Sequence, residues 1–188
     1  MMQFSPLSLP GAYHITLDPR QDHRGCFVRL FCQKEFEEIG LKKPIVNVNF
    51  SHTARRGAIR GLHFQYPPDA EVKIAICVKG RVFDVLVDIR KGSPTFLQWV
   101  GVELSEKKHE ALYIPEGFAH GFQALSDDVE FLYFNTAFYA PQNEGGLHFA
   151  DPKIGIQFPL ECSDISPKDA AHPLISDRVP AFEGVELQ

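Results

Sequence analysis

The segment Arg60-Gly61-Leu62-His63-Phe64-Gln65 sets a guanidinium and an imidazole three residues apart, and Lys73 adds an ammonium a short way downstream. Two cations around a base that titrates near neutrality suit an anionic substrate carrying a carbonyl group. The cations can hold the negative charge and the carbonyl oxygen while the imidazole moves a proton. A histidine in an apolar strand is more often structural than catalytic, so the spacing alone leaves both readings of His63 open. Strict alternation along a strand would also send Arg60 and His63 to opposite faces. Gly61 lies between them, and a bulge or strong twist there would return both side chains to one pocket.

Other residues join this set with a plainer reading beside each. His120 follows the turn Pro115-Glu116-Gly117 and leads into a strand. With His63 and Glu71 it supplies atoms that zinc, iron or manganese would accept, although position 65, where an H-x-H metal pair would place its second histidine, is Gln. Tyr133 sits in an aromatic strand where packing is the ordinary role of a phenol. Ser166-Pro167-Lys168-Asp169 reads as a helix start, with Ser166 as cap and Asp169 able to return a bond to the cap amide.

These residues have to be positioned by strands. Glycine and proline, 14 of each, cut the chain into short segments rich in Val, Ile and Phe, and only Gln33 to Ile39, stopped by Gly40, reads as a helix. Val82 to Ile89 alternates between an apolar face and a partly polar one that carries Asp84 and Asp88. Lys73 to Lys79 has the same period, which puts Lys73 on the more polar face. Further strands are expected at Ile45 to Phe50, Ile59 to Gln65, Leu97 to Val102, Ala111 to Ile114, Gly121 to Leu125 and Phe131 to Phe138. Their spacing predicts an all-β sandwich or jelly roll, and the irregular segment from Pro141 onward is expected to pack on it.

Composition narrows the partners. A chain of 188 residues has the size of a single domain that buries roughly two-thirds of its unfolded surface without metal staples. No apolar run approaches the ~18 residues of a membrane span, and the first residues lack an export signal, so a cytoplasmic protein with no membrane role is expected. A net charge of -5 opposes nucleic acid as a partner. Cys26, Cys32, Cys77 and Cys162 show no metal-ligand spacing and read as free thiols.

A wider pattern runs from about Asp22 to Pro173. Its pieces are Asp22-His23-Arg24-Gly25, Asn49-Phe50-Ser51, Arg60 to Pro68, Asp84 to Thr95, Ile114 to Phe122, Tyr139-Ala140-Pro141 and Ser166-Pro167-Lys168-Asp169. In order, spacing and length this resembles the dTDP-4-dehydrorhamnose 3,5-epimerase family. The resemblance implies one cupin jelly-roll barrel over residues 1–188, with short helices and an irregular C-terminal segment. It also implies a homodimer that shares strands, a nucleotide-sugar substrate, and neither metal nor nicotinamide cofactor. By motif position His63 corresponds to the base, Asp169 to the carboxylate that orients it, Tyr133 to the acid on the other face of the sugar, and Lys73 to the residue at the 4-keto oxygen. Arg24 corresponds to a diphosphate contact, and Arg29, Asn47, Asn49, Ser51, Arg60, His120 and Glu144 complete the substrate-binding set.

Arg29, Asn47 and Phe149 depart from the glutamate, glutamine and tryptophan common in thymidine-specific members, and this leaves GDP- or CDP-linked keto sugars open. Inversion at C3 alone, a metal-dependent cupin isomerase or oxygenase, and a non-catalytic sugar-nucleotide binding module are the remaining alternatives.

Overall fold

A computed structural model describes residues 1–187. The chain opens with four short strands, β1 (Gln3–Pro6), β2 (Tyr13–Thr16), β3 (Arg20–Asp22) and β4 (Gly25–Phe27), followed by helix α1 (Gln33–Glu37). The main strands follow: β5 (Asn47–Thr53), β6 (Ile59–Gln65), β7 (Lys73–Lys79), β8 (Arg81–Asp88), β9 (Trp99–Ser105), β10 (Glu110–Ile114), β11 (Phe118–Ala124) and β12 (Val129–Asn135). A last short strand, β13 (Glu144–Gly146), and helix α2 (Pro167–Ala170) complete the set.

Two antiparallel sheets face each other as a jelly roll. One runs β1-β2-β10-β7-β12-β5, the other β13-β6-β11-β8-β9, and the β3–β4 hairpin pairs only with itself. Alternation explains the layering. Val82 and Leu86 of β8 meet Ala75, Phe122 and Phe131 between the sheets, whereas Val85 and Val87 point outward with Leu62 and Phe64. That outer face is covered by Leu147, Ile154, Ile175 and Val185, so the C-terminal segment packs on the barrel as expected. The other sheet turns Ile74, Ile76 and Tyr113 outward under Phe36 of α1 and Leu41. Each such side chain, when fully buried, contributes roughly 1.5–3 kcal/mol.

Strands β6 and β7 have the expected bounds, and the differences elsewhere have local causes. Leu97, expected to open a strand, has φ 62 and forms a turn, so β9 begins at Trp99. Strand β12 stops at Asn135 because Thr136 exchanges bonds with Val72 through its amide and its Oγ1, which turns the chain out of the ladder. Strands β1 to β4 are three or four residues long and mostly exposed, too short to display a period.

Candidate active site

Gly61 does what the Arg60 and His63 pair requires. His63 lies opposite His120 and Arg60 opposite Phe122, so three steps on β6 span two on β11. The extra residue brings Arg60 and His63 to the same face. Gly61 has φ 107, and a Cβ there would stand 2.7 Å from the His120 carbonyl oxygen, so only glycine fits.

His63 Nε2 lies 2.7 Å from Asp169 Oδ1, and the Gly61 amide donates to Asp169 Oδ2 at 3.0 Å. The capping role open to Asp169 is taken by its backbone: its N–H donates to Ser166 Oγ at 3.0 Å, and the carboxylate is left for His63. Burial works to raise the Asp169 pKa, but the bonds from His63 and Gly61 outweigh it and hold the group below the usual carboxylate range. An ionised carboxylate only accepts, so Nε2 carries the ring hydrogen and Nδ1 keeps a free lone pair.

His63 borders a cavity of about 410 Å³ that also reaches Asn47 and Asn49 of β5, Lys73 of β7, Tyr133 of β12 and Glu144 of β13. Lys73 is nearly buried, with Nζ 3.2 Å from Glu71 Oε1 and 3.4 Å from the His63 carbonyl oxygen. The Tyr133 hydroxyl accepts a long bond of 3.5 Å from Ser51 Oγ. Burial pushes the Tyr133 phenol well up, with Ser51 opposing, so it stays protonated at neutral pH and can act as a proton donor. Behind it, the His120 ring stands edge-on at 6.0 Å and is hydrogen-bonded to the fully buried Asp84.

Other expected residues lie elsewhere. Arg60 shares the face but is exposed and does not line the cavity; its guanidinium donates to Thr53 Oγ1 and the His52 carbonyl, both at 2.8 Å. Arg24 is exposed on the β3–β4 hairpin and forked onto Asp22, while Arg29 pairs with Glu35 at 3.3 Å. Neither joins His63 within this chain, because the hairpin that carries Arg24 makes no ladder with the barrel. Asn47 donates to the Ala137 carbonyl at 3.2 Å on the cavity wall, but Phe149 packs on His148 and Phe158 away from it. The trio weighed as metal ligands is split: Glu71 goes to Lys73 and Asn135, and His120 to Asp84. Gln65 is structural, bonded to the backbone of Asp69, Phe138 and Ala140.

The chain as a whole is similar to proteins of one family. The profile described as dTDP-4-dehydrorhamnose 3,5-epimerase matches residues 6–177. The chain belongs to the dTDP-4-dehydrorhamnose 3,5-epimerase family. It is 48% identical over 165 residues to the Salmonella typhimurium dTDP-4-dehydrorhamnose 3,5-epimerase, covering 86% of this chain and 90% of that one. It is 38% identical to a Streptomyces niveus dTDP-4-dehydrorhamnose 3-epimerase, covering 89% of this chain and 81% of the other. Among solved structures, the Legionella pneumophila dTDP-6-deoxy-D-glucose-3,5-epimerase in complex with dTDP-4-keto-L-rhamnose superposes with a TM-score of 0.92 at 39% identity, over 100% of both chains. Members of the dTDP-4-dehydrorhamnose 3,5-epimerase family are isomerases.

Some residues around this cavity escape a linear reading. Lys168, inside one of the family motifs, reaches Glu144 Oε2 at 2.6 Å, and Tyr139 donates to the same oxygen at 2.8 Å. Asp84 and Asp88 are the polar positions on the face of β8 that carries Val82 and Leu86, and the fold turns Asp84 onto His120. His172 had no signal in its own neighbourhood; folding brings its ring to 6.4 Å from that of His63. Burial, then the nearby His63, lowers its pKa.

Proposed function

We propose that this chain epimerises a dTDP-linked 4-keto-6-deoxyhexose at C3 and C5 by proton transfer beside the ketone. The observation that carries this reading is the oriented His63–Asp169 pair facing the same cavity as a protonated Tyr133 and the Lys73 ammonium. A carbon next to a ketone loses a proton only if the enolate oxygen is stabilised, and Lys73 is the donor for that oxygen. His63 Nδ1 takes the proton, and Asp169 fixes the tautomer and stabilises the imidazolium. Tyr133 returns a proton to that carbon from the opposite side, which inverts the centre; the imidazolium then releases its proton to solvent and the phenolate takes one up, so both groups are reset. Repetition at the second carbon completes the conversion.

The nucleotide reading is supported by the dTDP sugars in the names of the relatives. The departures at Arg29 and Phe149 lie outside the cavity of this chain, which leaves Asn47 as the change on its wall. Incubation with the dTDP-, GDP- and CDP-linked 4-keto sugars in deuterated water, read by NMR, tests both parts. Label at C3 and C5 of the dTDP sugar is expected. Label at C3 alone would reduce the reaction to the 3-epimerase kind, and turnover confined to another nucleotide would overturn the base. Tyr133→Phe should keep exchange and lose the epimer; an unchanged epimer yield would make Tyr133 a packing residue.

We also infer one catalytic domain in a cytoplasmic homodimer. Phe27 on the β3–β4 hairpin and Val48 and Phe50 on the edge strand β5 are exposed apolar side chains, and Arg24 and Arg29 would reach a nucleotide only in a second copy's site. Light scattering should give twice the 21.2 kDa of the chain, and a monomer mass would remove this inference.

A further inference from the structure

We propose that His63, Asp169 and His172 form a binding site for a zinc-type divalent metal ion, and that the bound ion switches the epimerase off by occupying its base. The inhibitory half rests on the role of His63 given above; the binding half does not.

The three side chains offer two nitrogens and one oxygen, all within 4.8 Å of one another. Two imidazoles and one carboxylate are a common zinc donor set that leaves a fourth position for water. Tetrahedral bonds of about 2.0–2.1 Å space ligand atoms roughly 3.3 Å apart. The 2.7 Å contact between His63 and Asp169 would open slightly and His172 would close in, movements within reach of side-chain rotation.

Local structure prepares this grouping. Asp169 and His172 lie three apart where α2 ends, with the His172 amide 3.4 Å from the Asp169 carbonyl, so both side chains project from one side of the turn towards β6. Asp169 Oδ2 is already anchored by the Gly61 amide at 3.0 Å, which orients Oδ1 as a ligand. The His172 ring is seated against Gly146, the residue paired with His63 across β13 and β6; a Cβ at Gly146 would meet its Nε2. That Nε2 is buried and has no hydrogen-bond partner, so a polar ring sits beside the base with no bond that its burial requires. None of the proton-transfer steps above uses it.

Inhibition follows from imidazole chemistry. When one nitrogen of a neutral imidazole is bound to a metal, the other carries the hydrogen, and the ring can accept no proton. The same ion takes Asp169 away from its orienting role. Bound zinc therefore removes the base without touching Lys73 or Tyr133.

The test uses the full chain, freed of metal, with the exposed Cys26 and Cys162 alkylated so that thiols do not compete. Titration with zinc by calorimetry, and with cobalt(II) by the visible bands of tetrahedral coordination, should give one ion per chain. His172→Ala and His172→Gln should keep the metal-free turnover, weaken binding by at least about tenfold and lose the inhibition by zinc. His63→Ala should also lose the cobalt bands. Equal zinc affinity in parent and both His172 variants, or no stoichiometric binding by the parent, overturns the site. Binding that leaves turnover unchanged overturns the switch. Failure of the epimerase reading would appear instead as absence of turnover in metal-free protein, with the titrations still readable.

Discussion

His63→Ala is expected to abolish uptake of solvent deuterium at both C3 and C5 and to lower kcat by roughly 10²–10⁴-fold, the range for loss of a general base. In the proposed mechanism one imidazole serves both carbons, so exchange at the two positions should fall together. Substrate binding should change little, because the other cavity residues are untouched. The substitution strands the buried Asp169 carboxylate with only the Gly61 amide as partner, so a spectroscopic check of folding belongs with the assay. His63→Asn, which can still donate to Asp169, should be equally inactive while better folded. Exchange that survived in a folded variant, read by NMR of the sugar ring protons, would sink the assignment of the base.

Lys73→Met should cost about 10²–10³-fold in kcat, the value of one oxyanion donor and about 2.7–4 kcal/mol of transition-state stabilisation. The charge on the oxygen develops only as the proton leaves, so the loss should fall on kcat more than on KM. Lys73 is 8% exposed, and its removal leaves Glu71 without its cation. Lys73→Met alone is therefore expected to be less stable, and addition of Glu71→Gln should restore thermal stability but not rate. Steady-state kinetics on single and double variants separate the two effects. A kcat that stayed at the parent value would show that Lys73 only balances Glu71.

Much of the barrel was readable because its signals are local. The period-two alternation of Lys73 to Lys79 and Val82 to Ile89 sets which side chains point inward, and a strand buried on both faces retains that period. Gly61 is the clearest local case. A guanidinium and an imidazole three apart on a strand need an extra residue to share a face, and glycine at the right place foretold the shift observed between β6 and β11. The N-terminal strands were not readable, since three or four exposed residues carry too little hydrophobic contrast to mark an element. Glu71 and His120 looked like partners of His63 for a metal, yet each has a closer opposite partner of its own.

By itself, then, the amino-acid sequence determined the strand periods, the motif order that marks the family, and the residue types needed to move a proton beside a ketone. Tertiary structure decided which of those types meet. Asp169 lies 106 positions from His63 along the chain and could have served as a helix cap; only the packing of α2 against β6 turns its carboxylate onto the imidazole and leaves the cap to its amide. Folding likewise kept Arg24 and Arg29 off the cavity of their own chain and brought His172 beside His63. The physical reason is the range of the forces involved. Alternation and capping act over a few residues, whereas a hydrogen bond or a metal chelate depends on distances set by the docking of whole sheets and helices.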